Sequence, residues 1–267
     1  YPGFELEEKK PAGSAANLRL LSSNYIELGI AQADLIDAAY QGTGVFTGKK
    51  CQNFKAVASL YPEACQIVVR KDSDIETIDD LQGKKVSVGE EESGSELNAR
   101  QILEMSGLPE DLIKTKHLDY TDAADKLAAG KIDAFFFTAG AQTTVVEELA
   151  KHCDIRLLNL DDKLRGKLTT AYPFYSDYTI PAGTYTGQEE DIQTVCVQSV
   201  LVASDALDNA TVKKLTKTIF AHQKGLQYAT SVDLQLNESS AIKGVPIPFH
   251  PGAAAYYSER GINVKTE

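Results

Sequence analysis

The chain has no run of apolar residues approaching the roughly 18 that cross a bilayer; its densest stretch is residues 134–137. A membrane-spanning helix is thereby excluded. Cations are in deficit, with 27 Lys+Arg against 38 Asp+Glu and a net charge of −11. Neutralising phosphates takes clustered Lys and Arg, so a nucleic-acid surface is excluded, and with it a polybasic membrane patch. Cysteines are few: Cys51, Cys65, Cys153 and Cys196 form no C-x-x-C pair and no zinc spacing. Cys65 and Cys196 lie in apolar, strand-like runs where a thiol packs as a small hydrophobe; a disulfide stays open. The four histidines, His117, His152, His222 and His250, are scattered without carboxylates at metal-ligand spacing. Nothing here asks for a metal or a cofactor.

Catalytic signatures are missing too. No G-x-S-x-G, H-E-x-x-H or G-x-G-x-x-G occurs, and the glycine-rich residues 42–49 miss a phosphate loop because Thr43 stands where that loop needs glycine. The opening Tyr1-Pro2-Gly3-Phe4-Glu5 has neither the basic start nor the apolar centre of a signal peptide. Without an initiating Met it reads as a processed or incomplete chain.

What is present is an ordinary globular composition: 267 residues, 43% hydrophobic and 24% charged, at a length where one core starts dividing into two. Short apolar runs alternate with helical patterns, which predicts an α/β fold with parallel strands and crossover helices. Strands are expected over residues 4–9, 27–31, 54–60, 65–70, 85–88, 132–137, 154–158 and 194–203. Helices are expected over 15–21, capped by Ser14, and over 34–40. A Ser93–Glu96 capping box opens another, which Gly107 and Pro109 end. Further helices run to Ala128 from a cap at Thr121, over 142–150, from a cap at Asp208 or Asn209 to about Lys224, and over 250–261, where His250 sets the entry. Residues 171–191, rich in Pro, Gly and aromatics, read as an irregular crossing segment. The long strands at 65–70 and 194–203 bracket a compact middle region. One lobe inserted into another follows, with lobe 1 as 1–70 plus 196–267 and lobe 2 as 71–195.

Candidate contacts lie where strands end and helices begin. Residues 88–96 place Ser93, Gly94 and Ser95 at a helix N-terminus, whose unpaired N–H groups suit a ligand carboxylate; a well-capped surface helix explains them equally. Glu90, Glu91 and Glu92 would repel such a ligand unless they point outward or receive its ammonium. Thr138, Ala139, Gly140 and Thr143 form a second such loop, and in open α/β sheets these loops converge on one crevice. Gln32 and Asp34 occupy the corresponding place in the first lobe, Asp34 reading also as an N-cap. Tyr172, Phe174, Tyr175, Tyr178 and Tyr185 line a cleft wall or pack a linker.

Several segments resemble a known family. Ile75-Glu76-Thr77-Ile78-Asp79-Asp80-Leu81-Gln82-Gly83-Lys84-Lys85-Val86-Ser87-Val88-Gly89 is similar to the lobe-entry segment of type II periplasmic binding proteins. Asn17–Leu21, Gly29–Asp34, Ser93–Arg100, Ile180–Tyr185 and Pro248–Tyr257 resemble the TAXI family, solute receptors of tripartite ATP-independent periplasmic (TRAP) transporters. The resemblance implies a Venus-flytrap receptor: two lobes, each a β-sheet flanked by helices, with two strands crossing between them. It implies a periplasmic or extracellular monomer that binds a small carboxylate or amino acid, glutamate- or glutamine-like, and delivers it to a TRAP membrane permease. The family's ligand loops match Gln32, Ser93–Ser95, Thr138–Gly140 and Tyr185. Glu92 stands where the family has glycine or a small residue, and Gln142 where it has proline. The strand, Gly-Thr-Tyr loop and helix with which the family begins have no counterpart here, which suggests that they were omitted along with any N-terminal membrane anchor. An enzyme using Glu91, Glu92 and Asp34, if these share a crevice, and a ligand-sensing domain of a signalling protein are the alternative readings.

Overall fold

The computed structural model describes residues 7–9, 13–230, 234 and 236–267. The strand expected over 4–9 falls mostly outside these. Helix α1 (Ser14–Ser22) buries Leu18 and Leu21 one turn apart and leads to strand β1 (Leu28–Gln32) and helix α2 (Ala33–Gln41). Ser14, expected as the cap of α1, is its first residue instead. Gly13, at φ 91°, holds the cap position, and the Ser14 hydroxyl accepts from the Gln32 N–H at 3.1 Å.

Strand β2 (Phe54–Arg70) is a single strand of 17 residues. At about 3.3 Å per residue it extends roughly 55 Å. The sequence reading split it at residues 61–64 because Pro62 and Glu63 interrupt the apolar run. The strand nevertheless continues: register shifts against its neighbour fall between Ala56 and Ala58 and between Ser59 and Tyr61, and Pro62 itself stays in register opposite Gln198.

Strand β3 (Lys85–Ser87) precedes helix α3 (Gly94–Ser106), which Ser93 caps through the Glu96 N–H and Gly107 ends at φ 93°. Strand β4 (Lys114–Lys116) leads to helix α4 (Tyr120–Ala128), capped by Asp119 rather than Thr121 because the Asp119 carboxylate accepts from the Asp122 N–H at 2.8 Å. Strand β5 (Ala134–Ala139), helix α5 (Thr144–Ala150), strand β6 (Ile155–Leu157) and helix α6 (Asp162–Ala171) follow. The segment expected to be irregular contains strand β7 (Ser176–Ile180). Strand β8 (Ile192–Ser204), helices α7 (Asn209–Ala221, capped by Asp208) and α8 (Gln223–Ala229), and helix α9 (Pro251–Ser258, capped by His250) complete the described elements.

The strands form one connected sheet in the order β1-β8-β2-β5-β3-β4, with β6 added to β2 and β7 to β8. The pairing corrects the expectation of a parallel sheet. Only β3 with β4 and β3 with β5 run parallel, whereas β1–β8, β2–β8, β2–β5, β2–β6 and β7–β8 are antiparallel. β1 pairs with β8 over Gln32–Leu28 against Ser199–Ala203, while β7 pairs with β8 over Ile192–Cys196. β5 and β6 take only the Ala64–Arg70 end of β2. The partners therefore change over near Pro62 in β2 and near Gln198, which lies opposite Pro62 in β8. The two long strands are shared by a first half, holding β1, α1, α2, α7 and α9, and a second half holding β3–β7 and α3–α6.

In the second half, β5 buries Phe136 in one apolar cluster and Phe135 and Phe137 in another. Alternate residues thus face opposite sides of a sheet covered on both, with α3 and α6 on one side and α4 and α5 on the other. In the first half, α9 lies against α7 so closely that a Cβ on Gly252 would stand 2.4 Å from the Asn209 carbonyl oxygen. Among the described residues all four cysteines are free, with Cys51, Cys65 and Cys196 buried.

Candidate functional site

The changeover in β2 and β8 leaves the end of β1 and the start of α2 facing the start of α3 from across the two halves. Gln32, the last residue of β1, is 5% exposed and donates from Nε2 to Glu63 Oε2 at 2.6 Å. Its amide lies against Gly94: a Cβ there would be 1.4 Å from Gln32 Oε1. Only glycine permits that approach.

Asp34 sits in the first turn of α2 and is buried. It is not the N-cap of α2, a position Gln32 holds; its Oδ1 accepts from the Leu35 N–H at 2.7 Å, and its Oδ2 accepts from Asn98 Nδ2 of α3 at 2.6 Å, a bond between the halves. Asn98 also donates to the Tyr175 hydroxyl (2.8 Å), which donates to Gln101 Oε1 (2.6 Å). Burial pushes the Asp34 carboxyl up to about 7, against the opposing bonds from the Leu35 N–H and Asn98. The start of a helix ordinarily favours an ionised carboxylate, and here desolvation wins. Glu63 is also raised above the usual carboxylate range, by burial first, with hydrogen bonds from Gln32, Ser199 and Tyr61 pulling the other way.

Ser95 has its hydroxyl fully engaged. It accepts from the Thr138 N–H at 2.8 Å and lies 2.7 Å from the Tyr120 hydroxyl, which donates to the Thr138 carbonyl at 3.2 Å. With Ser95 donating to Tyr120, the three groups form a closed ring of donors and acceptors that ties α3 and α4 to the end of β5. Ser93 is likewise committed, to the cap of α3. Glu92 holds φ 61° and reaches across to Arg19 of α1 at 2.7 Å, and Glu90 and Glu91 point to solvent.

Three cavities divide the sequence-derived residues. One of about 480 Å³ is lined by Tyr61, Glu63 and Tyr120 and by the β5–α5 loop, including Thr138, Ala139, Gly140 and Thr143. A second, of about 470 Å³ between α2 and α3, holds Asp34 and Ser93 with Tyr172 and Phe174. The Gln32–Gly94 contact lies between them, since Gln32 bonds Glu63 of the first and Gly94 adjoins Ser93 of the second. Tyr185 lies elsewhere. It is buried in the second half, borders a third cavity of about 300 Å³, and its hydroxyl accepts from the Gln142 and Thr143 N–H groups while donating to Gln66 Oε1 at 2.9 Å. Gln32, Asp34, Ser93, Gly94, Ser95, Thr138, Ala139 and Gly140 are thus brought together around the seam between the halves, and Tyr185 is set behind it.

Glu63, Asn98, Tyr61 and Tyr120 were not singled out from the sequence. The signal for Glu63 was available: a carboxylate beside a proline in the middle of an apolar run is costly unless it serves a cavity.

Residues 4–261 match the sequence profile of the NMT1-like family. Among solved structures, the periplasmic aliphatic sulphonate binding protein SsuA from Escherichia coli matches with a TM-score of 0.50 at 17% identity, over 93% of this chain and 77% of that one. The periplasmic sulfonate-binding protein SsuA from Methylobacillus flagellatus KT matches at 0.49 and 16%, over 94% and 73%. An ancestral arginine-binding protein bound to arginine matches at 0.47 and 19%, over 83% and 76%. The E. coli match carries the fold assignment: this chain has the two-half fold of a periplasmic binding protein.

Proposed function

The chain belongs to the NMT1-like family, and on that premise we propose that it is a periplasmic solute receptor, not an enzyme. It captures a small carboxylate or amino acid between its halves and passes it to a membrane permease. The observation that carries this reading is the seam itself. Asp34 and Asn98, Gln32 and Gly94, and Arg19 and Glu92 meet from opposite halves around cavities of amino-acid size. A solute in the seam touches both halves only when they are together, so it stabilises that arrangement by its differential affinity. The changeover at Pro62 and Gln198 serves as the hinge, a few residues before the 70/71 boundary read from the sequence and just beyond the 195/196 boundary.

The permease is of the TRAP type, and the receptor is of its TAXI class. The segments Ser93–Arg100, Ile180–Tyr185 and Pro248–Tyr257 support this, because they resemble receptors of that class over separate parts of the chain. Co-reconstitution with the candidate permease tests it: solute uptake that proceeds without ATP is expected, and uptake that requires ATP hydrolysis would contradict it. For capture itself, titration calorimetry and thermal melting with L-glutamate, L-glutamine and small dicarboxylates are decisive. At a hundredfold excess over Kd the folded state gains about 2.7 kcal/mol, which raises the melting temperature by several degrees. No heat and no melting shift with any of these solutes would refute a ligand of this class.

A further inference from the structure

Asp34 is a carboxyl shut inside the seam, and no cation among the described residues bonds to it. The bonds its oxygens accept come from neutral donors, the Leu35 N–H of its own helix and Asn98 Nδ2 of the other half. Nor do the groups around it offset a negative charge. On β2, Glu63 is a second buried carboxyl that adds like charge to the effect of burial, and burial keeps the Cys65 thiol protonated. Tyr175, which shares the Asn98 amide with Asp34, is kept neutral by burial as well. Asp37 of α2 and Glu96 and Arg100 of α3 line the 470 Å³ cavity beside it. Arg100, the cation among them, is drawn to Glu96 at 3.1 Å and to Glu110 at 3.6 Å. Arg19 of α1 is spent on Glu92 at 2.7 Å. An ionised carboxylate in such a place bears an uncompensated desolvation cost, which a neutral acid escapes.

Part of what covers Asp34 belongs to the other half. Separating the halves along the seam removes Asn98 and Tyr175 from it and returns the carboxyl to water, where its charge costs nothing. Asn98 also suits the neutral form. Its Oδ1 is buried with no partner, so turning the amide over breaks no bond to that oxygen and presents it to the proton of the acid. From this we infer that closing the halves takes up a proton at Asp34, and that the Asp34–Asn98 contact is a pH-operated latch, shut when the carboxyl is neutral and released when it ionises. The inference rests on the proposed closure of the halves and goes beyond it, because it makes the closed state depend on pH even without solute. Open, the carboxyl titrates near its ordinary 3.8; closed, near 7. Between these values the closed state holds the extra proton, so the closing equilibrium weakens by up to about tenfold for each unit that the pH rises. Above about 7 the dependence levels off, since the carboxyl is then ionised in both arrangements.

The test is small-angle X-ray scattering of the purified, solute-free chain at pH 5.5 and pH 8. The expected result is a larger radius of gyration at pH 8. Asp34→Asn, neutral at every pH, is expected to show the same radius at both, with circular dichroism establishing that the variant is folded. The wild-type comparison stands independently of the variant. Equal radii in the wild type would overturn the inference. If saturating L-glutamate or L-glutamine at pH 8 then still lowers the radius, capture by closure survives that result. If the radius stays the same although calorimetry shows the solute bound, closure falls together with the latch. A radius that changes with pH in folded Asp34→Asn as much as in the wild type would overturn the assignment to Asp34.

Discussion

Asp34 shows how a single buried side chain can make the whole fold sensitive to pH. Its carboxyl is raised from an ordinary value near 3.8 to about 7, so the folded chain keeps a proton there that the unfolded chain has released. Between those two values the folded state binds more protons, and stability falls as pH rises, at up to about 1.4 kcal/mol per pH unit. Denaturant unfolding across pH 4 to 8 should show this loss, and Asp34→Asn should flatten it; an equal slope in the variant would show that another group is responsible. Gln32, Asp34 and residues 93–95 were legible in the sequence because each stands at a strand end or helix start, where side chains and free amides converge. Glu63 was not, because a strand interior carries no such signal and its partner Gln32 is 31 positions away. The two residues noted as family departures share one backbone property: Glu92 and Gln142 have φ of 61° and 66°. That region favours glycine. It is closed to proline, so the loop at Gln142 takes a path that a proline could not.

Among the elements, those with internal capping and apolar periodicity were readable, and those that depend on neighbours were not. Of the Ser93–Glu96 capping box the Ser93 half forms, while the Glu96 carboxylate accepts from the Glu92 N–H at 2.6 Å instead of from Ser93, whose N–H goes to the Glu90 carbonyl; Asp208 caps α7 as one of the two residues considered. Strand β4, Lys-Thr-Lys, and strand β7, Ser-Asp-Tyr-Thr-Ile, have little apolar pattern, since each is a short strand that exists by pairing with β3 or β8. Helix α6 was missed for the same reason: of its ten residues only Leu164 and Leu168 are buried. Tyr185 acts at the scale of the element: its hydroxyl supplies the acceptor that the N–H groups at the start of α5 need. Tyr185→Phe leaves the Gln142 and Thr143 N–H groups and Gln66 Oε1 without that partner, and should cost about 1–3 kcal/mol of stability. Chemical denaturation measures it; a loss below a few tenths of a kcal/mol would mean that α5 is held otherwise.

At the scale of the molecule, the α/β class and the passage of two long strands between halves were visible in the sequence, whereas strand direction was not. Helical and apolar periodicities fix which elements form, but parallel or antiparallel pairing depends on which strands are continuous, and β2 looked broken at Pro62. In the proposed closure the halves meet at Gly94, where any Cβ must displace the Gln32 amide from Glu63. A hydrogen bond to a charged group is worth about 1.5–3 kcal/mol, so Gly94→Ala should weaken solute binding tenfold or more while the melting temperature of the solute-free chain changes little. Equal affinity in the variant would show that Gln32 and Gly94 do not meet in the bound form. The exposed Arg19–Glu92 pair, with both side chains about half exposed, contributes far less to closure than the Gly94 contact.

Capture by closure is tested most directly by small-angle X-ray scattering of the purified chain, alone and with saturating L-glutamate or L-glutamine. A smaller radius of gyration with at least one of the two solutes is the predicted result. A scattering curve that stays the same, in a sample whose calorimetry shows the solute bound, would contradict it.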